Sequence, residues 1–155
     1  MTYFLLKSLH IVSVVLFLGN IITGVFWKFH ADRSGELRAR AQALDGIIAS
    51  DRWFTVPGVI LIIATGVSLA YLVGYPLLST KWIVWSLVLF GVSGAAFSVF
   101  VAPLQKKLLA NVRAGLTGTW NEPEYQALSR KWELWGAVAT GAPLIALFLM
   151  VFKPG

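Results

Sequence analysis

The feature that most constrains this chain is the spacing of its charged side chains, which leave four long apolar stretches. These stretches lie between Lys7 and Lys28, Arg52 and Lys81, Lys81 and Lys106, and Glu133 and Lys153. Each contains at least 19 residues, and a helix needs about 20 apolar residues to cross the hydrocarbon core of a bilayer. The pattern does not alternate as the strands of a membrane β-barrel do. It therefore predicts four membrane-spanning helices.

The composition agrees with this prediction. The chain is 57% hydrophobic and 13% charged, whereas an ordinary soluble domain has about 25% charged residues. Its seven Trp, ten Phe and four Tyr residues exclude a disordered chain. We predict an all-α membrane protein, a four-helix transmembrane bundle that forms one domain of residues 1–155. The spans are expected at about 4–28, 54–76, 82–104 and 132–152.

The basic residues predict an orientation. Ten of the 13 lie in two long loops, residues 28–52 and 105–131, and loops rich in Lys and Arg stay in the cytoplasm. Both termini are then expected to be periplasmic, in the inner membrane of a bacterium. The basic residues alternate with acidic ones along these loops, which favours anionic lipid headgroups over nucleic acid as their partner. The first stretch lacks a signal-peptide cleavage pattern, so we expect it to remain as a span.

Both loops contain segments that look helical and amphipathic. Apolar residues of the first loop recur at spacings of three and four: Leu37, Ala41, Leu44 and Ile48. This helix is expected to lie on the inner membrane surface or to prolong the first span. In the second loop, Asn121 followed by Glu124 predicts a helix N-terminus that continues into the fourth span. Within that span, Pro143 is expected to cause a kink and to leave the carbonyl of Ala139 without its helical partner.

His10 is the one ionisable side chain well inside an apolar stretch. It shares a helical stripe with Lys7, one turn nearer the chain start, and with four deeper residues: Ser13, Phe17, Asn20 and Gly24. A neutral imidazole can ligate haem iron or copper, or relay a proton. The alternative is a hydrogen bond that packs the first helix against its neighbour. The other histidine, His30, lies about 30 Å further along the helix, so the two cannot hold one iron.

No catalytic residue is predicted. The sequence has no glycine-rich phosphate loop and no Ser–His–acid set at membrane depth, and it lacks the Cys residues that thiol catalysis or a disulfide would need. Any chemistry would therefore depend on a bound cofactor.

Several short motifs resemble known membrane proteins. The opening "FLLKSLHIVSVVLFLGNI", with "WKFHADR" after it, resembles the first helix of HemJ-type protoporphyrinogen oxidases and of CopD-like copper-resistance membrane proteins. The similarity continues in "VPGVILIIATGVSLA", "VAPLQKKL" and the closing "VFKPG". The layout is also similar to that of four-helix bacterial inner-membrane proteins of unassigned function. The resemblance implies a haem b site with His10 as axial ligand and a redox role in the haem pathway.

The resemblance does not extend to the oxidase activity. HemJ-type proteins carry a Lys inside the third helix, where "KWIVWSLVLF" has Trp85 or Ser86 instead. They also tend to have a further histidine in that helix, where this chain has Gly94 and Ala95. The activity is therefore not expected to carry over, and no second axial ligand is evident.

Three functions remain open at this point. The first is haem b or porphyrin binding through His10, with Lys7 paired to a propionate and with Ser13, Phe17, Asn20 and Gly24 lining the pocket. The second is a non-catalytic structural or interaction subunit, either a homodimer or part of a membrane complex, in which His10 is a packing residue. The third is copper handling by His10 with Met1 and Met150.

Overall fold

A computed structural model describes residues 1–154, and all of its regular structure is helical. The helices are α1 (Thr2–Ser34), α2 (Leu37–Ser50), α3 (Val56–Val73), α4 (Lys81–Ala96), α5 (Ala102–Leu116) and α6 (Glu122–Phe152). A π-helical turn, Asp51–Thr55, joins α2 to α3, and a second one, Phe97–Val101, joins α4 to α5. Residues 1–154 therefore form four continuous helical rods, each long and apolar enough to cross a membrane. Three of the four predicted spans lie within these rods, and the second, 54–76, extends three residues beyond the end of its rod at Val73.

The rods are longer than a bilayer requires. The first has 33 residues, which is about 50 Å at 1.5 Å per residue, against about 30 Å of hydrocarbon core. We call the end with the turns at residues 35–36 and 117–121 the loop end. The opposite end, with both chain termini and the turn at residues 74–80, is the terminal end. The rods therefore extend beyond the hydrocarbon core.

The two predicted loop helices are continuations of the spans. The segment from Leu37 is α2, which leads directly into α3, so it prolongs the second span rather than the first. Gly35, with a φ of 72°, ends α1 and reverses the chain so that α2 packs beside it. At the other turn, the Asn121 side chain accepts a hydrogen bond from the Glu124 N–H at 3.1 Å. The predicted start of the last helix is confirmed.

Packing differs between the two ends of the bundle. Toward the loop end, a core of buried side chains from α2, α4, α5 and α6 fills the interior, including Leu44, Leu108, Val112, Tyr125 and Trp132. Toward the terminal end, α1 packs on α3 and α4 packs on α6. Within the described residues, α3 and α4 do not pack against each other. The terminal end therefore consists of two helix pairs with a space between them.

The proline in α6 is accommodated by the neighbouring helix. Pro143 has no N–H to offer the carbonyl of Ala139, and the Ser93 hydroxyl of α4 donates to that carbonyl at 2.5 Å. Both groups are buried. The expected loss of a helical hydrogen bond is thus compensated across the α4–α6 contact.

Candidate functional site

A cavity of about 600 Å³ separates the two helix pairs at the terminal end. Side chains of α1, α3, α4 and α6 line it, and most of them are aliphatic or aromatic. The Phe17 and Phe90 rings, with centroids 5.5 Å apart, meet across the gap at its deep end. Leu144 packs against the same cluster. Ligand sites typically have volumes of about 300–1,000 Å³, so the cavity has room for a medium-sized apolar molecule.

His10 is the histidine in the cavity wall. Its Nδ1 lies 2.9 Å from the Thr65 hydroxyl of α3, and that hydroxyl is 2.5 Å from the Leu61 carbonyl. Because the hydroxyl proton goes to the carbonyl, Thr65 must accept from His10, and we assign the proton of the neutral ring to Nδ1. The lone pair of Nε2 is then free for a ligand.

Gly66 makes room for this ring. A Cβ atom at Gly66 would lie 3.2 Å from Cε1 of His10, which is closer than comfortable van der Waals contact. The absence of a side chain on α3 at this position therefore lets the imidazole approach the helix closely while it bonds to Thr65.

Two lysines lie at the mouth of the cavity, one on each helix pair. Lys7 lies over the ring of Tyr3, with 5.8 Å between Nζ and the centroid. Lys153 follows α6 and lies over Trp82 at 5.4 Å and Tyr75 at 5.8 Å. Among the described residues, Lys153 is the one non-glycine residue with positive φ, 46°. The mouth thus combines two cations with three amphipathic rings, an arrangement suited to an acidic headgroup.

The structure brings together half of the residues predicted to form the site. Lys7, His10 and Phe17 line the cavity. Ser13 is buried toward α3 and its hydroxyl donates to the Leu9 carbonyl at 2.8 Å. Gly24 faces Ile47 of α2, beside a second crevice between α1 and α2. The stripe does face the protein interior, but only its first turns reach the cavity.

Asn20, the remaining predicted residue, belongs to a buried polar cluster around Asp51. The Asn20 amide donates to Oδ1 of Asp51 at 3.2 Å and to the Thr55 hydroxyl at 2.9 Å. Thr55 donates to the same Oδ1 at 2.7 Å, and Gln105 donates to Oδ2 at 3.0 Å. Asp51 is 8% exposed. This carboxylate is held by three neutral donors from α1, the first π-helical turn and α5.

The Asp51 cluster is a feature that sequence reasoning missed. The charges of Asp51 and Arg52 suggest a loop outside the membrane, and the structure places Asp51 inside a continuous helix instead. The spacing of Asp51 and Thr55, one helical turn, is the available local signal. Contacts to Asn20 and Gln105 depend on the tertiary packing of three helices.

A second cluster, in which buried cationic side chains pair with carboxylates, lies at the loop end. Lys28 is 2% exposed, and its Nζ lies 2.6 Å from both Asp32 and the Ser129 hydroxyl. Arg40, also buried, lies 3.0 Å from Glu122 and 3.7 Å from Asp32. The Tyr125 hydroxyl donates to Asp32 at 2.5 Å. Asp32 therefore links α1, α2 and α6 through three different side chains.

Metal ligands are sparse in the described residues. No group of three or more His, Cys, Asp or Glu side chains in residues 1–154 could hold a metal ion. His30 lies near the loop end, where its ring stacks on Phe26 with centroids 6.2 Å apart.

No curated protein and no solved structure matches this chain significantly. The length, the apolar rods and the polar ends described above all indicate an integral membrane protein. Residues 4–154 match the family described as predicted integral membrane protein (DUF2269), and the chain belongs to that family.

Proposed function

We propose that this protein binds haem b, or a related porphyrin, in the terminal-end cavity with His10 as axial ligand. The observation that carries the proposal is the position of His10 in the wall of an apolar cavity of about 600 Å³, with Nδ1 engaged by Thr65 so that Nε2 is the nitrogen left to ligate. Haem supplies four of its own iron ligands, so one histidine is enough to anchor it. The resemblance of the "LLKSLH" opening to HemJ-type proteins supports the same assignment.

The residues at the mouth fit the rest of such a ligand. A porphyrin has a broad apolar body with its propionates at one edge. Lys7 lies at the mouth and offers one propionate a cation, and the Tyr3 ring beneath it restricts where that cation sits. Phe17 and Phe90 limit how deep the ligand reaches. Thr65 fixes the imidazole tautomer by accepting from Nδ1. Bound haem would supply one-electron chemistry, consistent with a redox or haem-pathway role.

An absorption spectrum tests this proposal. The protein is expressed in a haem-replete host, purified in detergent and examined for a Soret band. We expect His10→Ala to abolish the band and His30→Ala to leave it unchanged, because His30 lies about 30 Å further along α1. The His30 variant is a matched control, since it removes the other histidine of the same helix. A band that is absent, or that survives His10→Ala, contradicts the proposal.

The second candidate is a non-catalytic subunit of a dimer or membrane complex. The 2.9 Å bond between His10 and Thr65 favours it, because this bond joins α1 to α3, which also pack together through Phe17 and Ile62. His10→Gln is the variant that separates the two candidates, since an amide can donate to Thr65 yet is a poor iron ligand. A packing role predicts retained stability and an unchanged co-purifying partner. Haem ligation predicts loss of the Soret band.

We further propose that both termini face the periplasm of a bacterial inner membrane. The support is the exposed basic side chains in the loop-end half of the rods, which include Arg52, Lys106 and Lys107. Because the chain has no cysteine, single substitutions give unambiguous labelling. Ser79→Cys at the terminal end should react with an impermeant maleimide in intact spheroplasts, and Thr119→Cys at the loop end should react only after lysis. The reverse pattern would overturn this orientation.

A further inference from the structure

Met150 lies in the cavity wall opposite to the helix pair that carries His10. It belongs to α6, and Pro143, Ala146, Met150 and Lys153 follow one another along the cavity-facing stripe of that helix. His10 belongs to α1, where Tyr3, Lys7, His10 and Phe17 form the corresponding stripe. The two stripes therefore face the same space from different helix pairs.

Along both stripes, the same kinds of side chain follow one another from the mouth of the cavity inward. On α1, His10 lies three residues deeper than Lys7; on α6, which runs in the opposite direction, Met150 lies three residues deeper than Lys153. Three residues correspond to about 4.5 Å along a helix. Each wall thus presents a cation at the mouth and a soft or imidazole ligand one turn below it.

Among the described residues that line the cavity, Met150 is the one thioether. Ser86 has its hydroxyl directed to the Trp82 carbonyl at 2.7 Å, so it is already hydrogen-bonded within α4. Lys153 is drawn over the Trp82 and Tyr75 rings. A thioether is a good ligand for haem iron opposite a histidine.

We propose that Met150 is the second axial ligand of the haem, and that Lys153 pairs with its second propionate. This inference rests on the proposed function of the His10 cavity. The ligand then bridges the α1–α3 pair and the α4–α6 pair, bonded to one side chain from each. His–Met ligation gives a six-coordinate, low-spin haem with a raised reduction potential.

The test compares variants of the haem-loaded, full-length protein by absorption and electron paramagnetic resonance. Met150→Leu keeps the volume of the side chain nearly unchanged and removes the sulfur. We expect haem to remain bound through His10, with the low-spin signal replaced by a high-spin one and a lowered reduction potential. Met150→His should restore a low-spin signal, now of the bis-histidine type. Ile145→Met, at an exposed position of α6 outside the cavity lining, serves as control and should leave the signal unchanged.

The outcomes separate the two proposals. Loss of the low-spin signal in Met150→Leu, with its return in Met150→His, supports the ligation. A wild-type protein that binds haem but is high-spin, or a Met150→Leu spectrum identical to wild type, overturns it and leaves haem binding at His10 intact. A protein that takes up no haem overturns both. Helical content and elution volume of each variant establish that it is folded, so that a lost signal reports on ligation.

Discussion

The two ends of this bundle are built from the same four rods, but one end is tightly packed and the other contains a cavity. The loop end is filled by side chains such as Leu108, Val112 and Tyr125 and is closed by the ion pairs around Asp32. The terminal end leaves about 600 Å³ between two helix pairs, which meet at the deep end of this space through Phe17 and Phe90. The loop end therefore supplies the stability that lets the terminal end remain open. Substitutions at the loop end should therefore affect folding, and those at the terminal end should affect binding.

The largest expected effect is that of Asp32→Ala. It leaves Lys28 and Arg40 buried without their shared carboxylate and removes the acceptor of the Tyr125 hydroxyl. Breaking a buried ion pair costs about 3–5 kcal/mol, so the free energy of unfolding in a detergent titration should fall by about that amount. The control is Asp45→Ala, which breaks the pair with Arg113 at 2.8 Å, where both side chains are more than half exposed. That control should lose about 1 kcal/mol or less. Equal losses in the two variants would show that the loop end is not held by its buried charges.

An intermediate effect is expected for Ser93→Ala, in the α4–α6 pair. It leaves the carbonyl of Ala139 without a donor, because Pro143 cannot supply one. An unsatisfied buried acceptor costs about 1–3 kcal/mol, which the same unfolding titration would measure. Ser68→Ala is the matched control, since the Ser68 hydroxyl bonds within its own helix at an exposed position and should cost less than about 0.5 kcal/mol. If both variants unfold like the wild type, the bond from Ser93 does not hold α6 at its proline.

The smallest expected effect, and one on binding alone, is that of Lys7→Gln. Lys7 is exposed at the cavity mouth, so its removal should leave the unfolding titration unchanged. An exposed ion pair contributes about 1 kcal/mol or less, and haem affinity, measured by transfer to an acceptor apoprotein, should weaken by at most about fivefold. Lys106→Gln, at an exposed lysine in the loop-end half of the third rod, should leave haem transfer unaltered. A loss of stability in Lys7→Gln would remove the distinction between the two ends.

Much of the fold follows from the sequence because charge is costly in a bilayer. The uncharged stretches mark all four rods, and the Asn121 cap marks where the last one begins. The ends of the rods are harder to predict from the sequence. A charged residue such as Asp51 is typical of a loop when the side chains that contact it are not known. Neutral donors from other helices are what allow it to lie within a helix.

The candidate site was predictable in part. His10 stands out as the one ionisable residue in its stretch, and the helical wheel correctly gives the stripe that faces inward. A helical wheel does not show which segment of the chain packs against α1 at each position along its length. Along α1 the partner is α3 near His10, the first π-helical turn near Asn20 and α2 near Gly24. In the sequence, the charges of Lys28 and Arg40 are typical of solvent-exposed residues. Both are buried in the structure, because of the position of α6.

The two π-helical turns have a consequence for how this chain tolerates insertions and deletions. Each turn contains one residue more than the same length of α-helix would, and each is followed by a proline, Pro57 or Pro103. One residue corresponds to about 100° of rotation in an α-helix. Deleting a residue from Asp51–Thr55 would therefore rotate α3 relative to α2 and turn Thr65 away from His10. The face that a rod shows to the cavity is therefore set by a turn about 10 Å away from the lining, since seven residues separate Thr55 from Ile62 and Phe90 from Phe97.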